Sequence, residues 1–120
     1  MHILLVDDDI GLRTLFSLVL EDAGFQVQTA SNGREGWDVF CRGSDWDVII
    51  LDRVMLQMGG EELAGKIKAV LPDLPIILIS GFLDAMADPH LFQKILAKPF
   101  LPSTLLQCVE AARLAAPVRP

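Results

Sequence analysis

The chain has 120 residues, 52% of them apolar, and a formal net charge of −6. That length suits one compact domain and leaves no room for two, and the apolar share is enough for a sizeable core and excludes a disordered chain. The longest apolar runs, residues 48–51 and 76–79, are far too short to cross a bilayer. The acidic charge is spread along the chain without a basic cluster, which argues against direct nucleic-acid binding. Acidic residues follow the first apolar run at once, so the start lacks the pattern of a signal peptide; the expectation is a soluble, cytoplasmic chain with no membrane partner.

Residues 3–6 form an apolar run that ends abruptly in Asp7, Asp8 and Asp9. A helical pattern follows, with Leu12, Leu15, Phe16, Val19 and Leu20 at helical spacings and Gly24 closing it. Residues 25–30 alternate apolar and polar, the pattern of a half-covered edge strand. Asn32 and Gly33 open a second helix with Trp37 and Phe40 on one face. Residues 48–51 are continuously apolar, as a strand buried on both faces should be, and end in Asp52. Gly59 and Gly60 precede a third helix through Leu63, Ile67, Val70 and Leu71, stopped by Pro72. Residues 76–79 are another buried strand, ending in Ser80 and Gly81. A weak, short helix is expected over 83–92, limited by Pro89, then a last strand over 95–97 before Lys98 and Pro99. Residues 102–115 are the final amphipathic helix, with Leu105, Leu106, Val109 and Leu114 turned inward. The domain is expected to span 1–116, and residues 117–120 are a tail or the start of a linker.

Strand-helix alternation with double-sided burial of the inner strands implies an α/β fold, a parallel sheet with helices on both faces. Right-handed crossovers restrict the topology, and the edge-like second strand points to the flavodoxin-like doubly wound order 2-1-3-4-5, with a short, atypical fourth helix. Cys41 and Cys108 lack metal-ligand spacing and read as small core residues of a reducing compartment, on opposite faces where they cannot pair. His2 and His90 read as surface residues, Arg53 as a surface residue able to touch a partner, and both tryptophans as packing residues.

Open parallel sheets bind ligands at the carboxyl ends of their strands, near the switch point. Four such ends carry polar residues here: Asp7, Asp8 and Asp9, then Asp52, Ser80 and Lys98. Three carboxylates brought close together raise one another's pKa unless a cation intervenes. An all-oxygen donor set favours a hard cation, Mg²⁺ above all. Lys98 offers a mobile positive charge and Ser80 a hydroxyl donor. These are the parts needed to position and neutralise a transferring phosphoryl group, with the central Asp52 as nucleophile forming an acyl phosphate.

Asp7-Asp8-Asp9 after Leu4-Leu5-Val6, Asp52 after Leu51 and 44 positions beyond Asp8, Ile79-Ser80-Gly81, and Lys98-Pro99-Phe100 resemble, in order and over essentially the whole chain, the receiver domains of two-component response regulators. The resemblance implies that Asp52 is the phosphoacceptor, loaded by a histidine kinase or histidine phosphotransfer protein. It implies that Asp8 binds Mg²⁺ directly and Asp7 through water, with the backbone carbonyl of Val54 as a further ligand. Ser80 would bond a phosphoryl oxygen and Lys98 would pair with the phosphoryl group or Asp52. It also implies a cis Lys98–Pro99 bond, leaves Asp9 as a helix cap, and makes the output a changed affinity for another protein or domain, with a homodimer among the options. The chain reads equally as a stand-alone regulator or as part of a longer regulator or hybrid kinase.

The sequence departs from that family in three places. Leu56 stands where a proline is usual and Gly59 where an aspartate is usual, which adds backbone freedom after the phosphoacceptor. The interval from Ser80 to Lys98 is short, and Ile95 occupies the position of an aromatic switch residue, so the usual output face is in doubt. Val54 and Phe82 flank the expected path of attacking water and cannot orient it, which predicts slow self-dephosphorylation. Two other readings remain: a degenerate receiver that binds partners unphosphorylated, and a haloacid-dehalogenase-like phosphatase with Asp7 as nucleophile. The second lacks an acidic pair after the lysine, since only Glu110 follows Lys98, and leaves Asp52 without a role.

Overall fold

A computed structural model describes residues 2–43, 45–55, 57–81 and 91–115. Five short strands, β1 (His2–Val6), β2 (Gln26–Ala30), β3 (Val48–Asp52), β4 (Ile76–Ser80) and β5 (Lys94–Ala97), pair in parallel in the order β2-β1-β3-β4-β5. The expected doubly wound order is therefore observed. β1, β3 and β4 are the apolar runs of the sequence, and their apolar residues are fully buried. β2 is an edge strand with exposed Gln26, Gln28 and Thr29, which explains its alternation.

Four helices are present among the described residues: α1 (Ile10–Asp22), α2 (Gly33–Arg42), α3 (Gly60–Val70) and α4 (Pro102–Ala115). Successive strand residues point to opposite faces, and the core divides accordingly. Ile3, Leu5, Ile50, Ile77 and Ile79 pack under Phe16 and Leu20 of α1 and Leu105 and Val109 of α4. Leu4, Val6, Ile49, Leu51, Ile76 and Leu78 pack under Val39 and Phe40 of α2 and Leu63 and Ile67 of α3. Each such side chain contributes about 1.5–3 kcal/mol on burial, and this two-sided core holds the strand ends in place.

Local chemistry fixes where the helices start. The Asp9 carboxylate caps α1 by accepting from the amides of Gly11 and Leu12, as expected of that residue, and Asn32 caps α2 through the Glu35 amide. Gly24 closes the first helix at φ +98°, a left-handed conformation that favours glycine.

Several expectations are corrected. Leu114 is 73% exposed: α4 buries Leu105, Val109 and Ala112, and Leu114 falls outside that stripe. Cys41 is exposed on α2 and Cys108 half-buried on α4, so neither is a core residue, although they do lie on opposite faces. His2 is half-buried, its ring stacked on Trp46 at 4.8 Å and its amide bonded to the Asp47 carboxylate. The short helix expected over 83–92 lies almost wholly outside the described residues, and Leu91 and Phe92 are not helical. Leu56, Phe82, His90 and the tail 117–120 also lie outside them.

Two glycines separate crowding from propensity. A Cβ on Gly33 would stand 2.0 Å from the carbonyl oxygen of Met58, whereas one on Gly65 would meet nothing within 4 Å. Gly33→Ala is expected to destabilise the fold by roughly 2–4 kcal/mol, and Gly65→Ala, inside α3, to stabilise it by about 0.5–1 kcal/mol. Urea unfolding of both variants checks this; equal effects would show that the Met58 contact yields easily.

Candidate functional site at the carboxyl edge of the sheet

Strand register assembles the site. Val6 pairs with Leu51, so Asp7 and Asp52 emerge side by side from β1 and β3. Asp52 pairs with Ile79 and Ser80 with Ala97, which brings the ends of β4 and β5 to the same edge. Asp7, Asp8 and Asp52 each present a carboxylate oxygen within 4.8 Å of the others. Lys98 Nζ lies 3.6 Å from Asp52 Oδ1. Asp7, Asp52 and Ser80 are buried, while Asp8 is exposed. The residues singled out from the sequence are thus gathered in one place. Val54, two residues beyond Asp52, has a 70% exposed side chain.

Each element holds its residue for an identifiable reason. The Asp7 carboxylate accepts from the Asp9 amide at 2.9 Å through Oδ1, and its carbonyl accepts from Arg13 Nη1 at 2.7 Å. The Lys98 amide donates to the Ser80 carbonyl at 2.8 Å, extending the β4–β5 ladder to the lysine. Phe100 stacks on Phe16 at 5.3 Å and ties the segment after Lys98 to α1. The Lys98–Pro99 peptide is cis, as expected.

The turn after β3 is held on several sides. The Gly60 amide donates to the Arg53 carbonyl at 3.0 Å, and the Arg53 amide to the Ile79 carbonyl at 2.9 Å. Gly60 leaves no room for a Cβ, which would stand 2.5 Å from the Asp52 carbonyl oxygen. Arg53 is not the surface residue expected: its side chain is 14% exposed, with Nε 2.7 Å from Glu61 Oε1. The sequence alone does not reveal this pair, because the length of the turn, and with it the distance from Arg53 to the first turn of α3, depends on the fold.

Burial is the main electrostatic cost. It raises the Asp52 carboxyl to about 6, helped by the negative charge of Asp7 and opposed by Lys98. Asp7 is raised for the same first reason, against the Asp9 amide and Lys98. Asp7 Oδ2 is buried without a hydrogen-bond partner among the described residues. The arrangement combines a buried acceptor with surplus negative charge in an all-oxygen donor set. Those features fit a hard divalent cation such as Mg²⁺.

The family model "Response regulator receiver domain" matches residues 3–110. The response regulator receiver protein CpdR of Brucella abortus is 33% identical over 119 residues, covering 96% of this chain and 98% of that protein. The transcriptional regulatory protein GlrR of Escherichia coli is 41% identical over 80 residues, 67% of this chain but 18% of that protein. The chain therefore spans less than a fifth of GlrR and nearly all of CpdR. Among solved structures, the response regulator protein TrrA of Thermotoga maritima, in complex with Mg²⁺ and BeF, superposes with a TM-score of 0.84. Its identity is 31%, over 92% of this chain and 97% of that one. No helix among the described residues is long and apolar enough to cross a membrane.

A carboxyl raised by folding stabilises the folded state fully below its unfolded pKa, and that contribution is lost as pH rises through the folded value. For Asp52 the window runs from 3.8 to about 6. At pH 7.5 without divalent cations, Asp52→Asn is expected to be more stable than the wild type by about 1–3 kcal/mol. The gap should narrow towards pH 4.5. Chemical denaturation at both pH values decides it, and equal stability at pH 7.5 would refute the strained-carboxylate account.

Proposed function

We propose that this chain, which belongs to the response regulator receiver domain family of two-component systems, accepts a phosphoryl group on Asp52 in a reaction that depends on Mg²⁺. The observation that carries the reading is the meeting of Asp7, Asp8 and Asp52 within 4.8 Å, with Lys98 Nζ 3.6 Å from the Asp52 carboxylate. An Asp52 oxygen attacks the phosphorus of a phosphohistidine on a histidine kinase or phosphotransfer protein. The P–N bond breaks, its electron pair stays on the imidazole, and an acyl phosphate remains on Asp52.

Asp7, Asp8, Asp52 and the backbone carbonyl of Val54 would hold the ion. When bound, Mg²⁺ supplies the positive charge that offsets the carboxylates and the phosphoryl oxygens. Lys98 pairs first with Asp52 and then with the phosphoryl group, and the Ser80 hydroxyl donates to a phosphoryl oxygen. The Lys98 amide donates a hydrogen bond to the Ser80 carbonyl, which keeps the two residues side by side at the strand ends. The product is a charge switch whose readout is a changed affinity for another protein or domain, or onward relay of the phosphate. No observation favours Asp7 as nucleophile: it is fully buried, and Oδ1 is taken by the Asp9 amide.

Addition of Mg²⁺ and beryllofluoride is expected to shift backbone amide resonances around Asp52, and Asp52→Asn is expected to abolish the shifts. A spectrum unmoved in the wild type would instead mark a receiver that binds partners without being phosphorylated. Val54 bears on the lifetime of the acyl phosphate, because a branched apolar side chain offers no hydrogen bond to an incoming water. Val54→Asn is expected to speed loss of phosphate by roughly threefold to tenfold, within what orienting one water supplies. Measuring phosphoprotein decay by intact mass tests it, and an unchanged rate would overturn it.

A further inference from the structure

A backbone carbonyl has no side chain with which to adjust, so its position is set wholly by the turn that carries it. Here that turn starts at Arg53, immediately after Asp52, and contains Gln57 at φ +70°, a conformation disfavoured for a residue with a Cβ. Such a turn needs ties. Among those Arg53 makes, two run to the first turn of α3: its carbonyl accepts from the Gly60 amide at 3.0 Å, and its guanidinium reaches Glu61 at 2.7 Å. Gly60 in turn is pressed against the Asp52 carbonyl with no room for a Cβ. The Arg53 side chain is largely withdrawn from water, so its ion pair is less screened than an exposed one.

We propose that the Arg53–Glu61 pair is a latch that fixes the position of the Val54 carbonyl and so sets the preference of the acidic site for Mg²⁺ over Ca²⁺. The inference rests on the reading that Asp7, Asp8, Asp52 and the Val54 carbonyl hold a divalent cation. The two ions respond differently to a loosened ligand. Mg²⁺ demands near-ideal octahedral geometry at short distances, whereas Ca²⁺ accepts longer bonds, variable number and flexible geometry. Releasing the latch therefore weakens Mg²⁺ binding and largely spares Ca²⁺. Arg53 and Glu61 are positioning residues in this scheme.

Charge alone predicts something else. Removing the Arg53 cation should tighten binding of any divalent ion, and removing the Glu61 anion should weaken it. A latch predicts the same sign for both.

Calorimetric titration of the full chain with MgCl₂ and with CaCl₂ tests this on wild type, Arg53→Gln, Glu61→Gln and the reversed pair Arg53→Glu with Glu61→Arg. Both single variants are expected to bind Mg²⁺ roughly threefold to fivefold more weakly, the upper range of one modest ion pair, with Ca²⁺ changed less than about twofold. The reversed pair should recover most of the Mg²⁺ affinity. Circular dichroism confirms folding; if Arg53→Gln fails to fold, Arg53→Lys, which keeps the charge without the planar fork, is expected to show the same selective loss. Mg²⁺ binding by the arginine variant as tight as wild type, or equal losses for the two ions, overturns the latch and leaves the magnesium reading intact. Wild-type protein that binds no Mg²⁺, in parallel with Asp8→Asn, overturns both.

Discussion

Asp7 and Asp52 leave water together, and nothing in the fold allows them to separate. The Val6–Leu51 register fixes their strands at one parallel spacing, and the core on both faces of the sheet prevents either strand from sliding. Desolvation and mutual repulsion both oppose ionisation, as the rise of Asp52 to about 6 records. The rest of the site answers this one cost. Lys98 brings a positive charge from the end of β5, and the Asp9 amide takes one Asp7 oxygen. These contacts reduce the penalty without removing it, since Asp7 Oδ2 keeps no hydrogen-bond partner among the described residues. A site held in surplus negative charge by its own scaffold is poised for a cation, and the stability that it costs comes from the fully buried strands beneath it.

How much of this was legible in the sequence depends on the range of the interaction involved. The strands were readable because two-sided burial demands continuous apolar runs, and each run stops where its polar end residue begins. Helix starts were readable at Asp9 and Asn32 because capping is a local bond between neighbours. The acidic cluster was readable because a parallel sheet places all strand carboxyl ends on one edge, so sequence order alone implies proximity. What was not readable depends on contacts across turns or between layers. The Arg53–Glu61 pair needs the turn to close to a particular length. Gly33 signals a helix start, but its real constraint is the Met58 carbonyl from a different connection. Leu114 fits the apolar periodicity of α4 yet lies on the side the sheet does not cover. His2 has no charged neighbour in sequence, and its stacking on Trp46 arises only because the start of β3 lies beside β1.

On the proposed reading, phosphorylation adds charge at a point where, among the described residues, two neighbours besides Ser80 can register it. One is Lys98, which is tied through its amide to Ser80 and through the β4–β5 register to the strand that carries Ile95. Ile95 has no ring to turn and no polar tip to exchange, and its β-branched side chain is stiff at χ1. It is half-buried against the α2–α3 side of the core. The other neighbour is the turn after β3, whose Met55 and Met58 pack against that same cluster. Methionine is the side chain best able to repack without loss of contact. Among the described residues, the adaptable side chains near Asp52 are therefore the methionines of this turn, which rest on the shared core beneath α2 and α3. In this chain a stiff β-branched residue stands at the position of the family's aromatic one, and the adaptable methionines stand in the turn after Asp52.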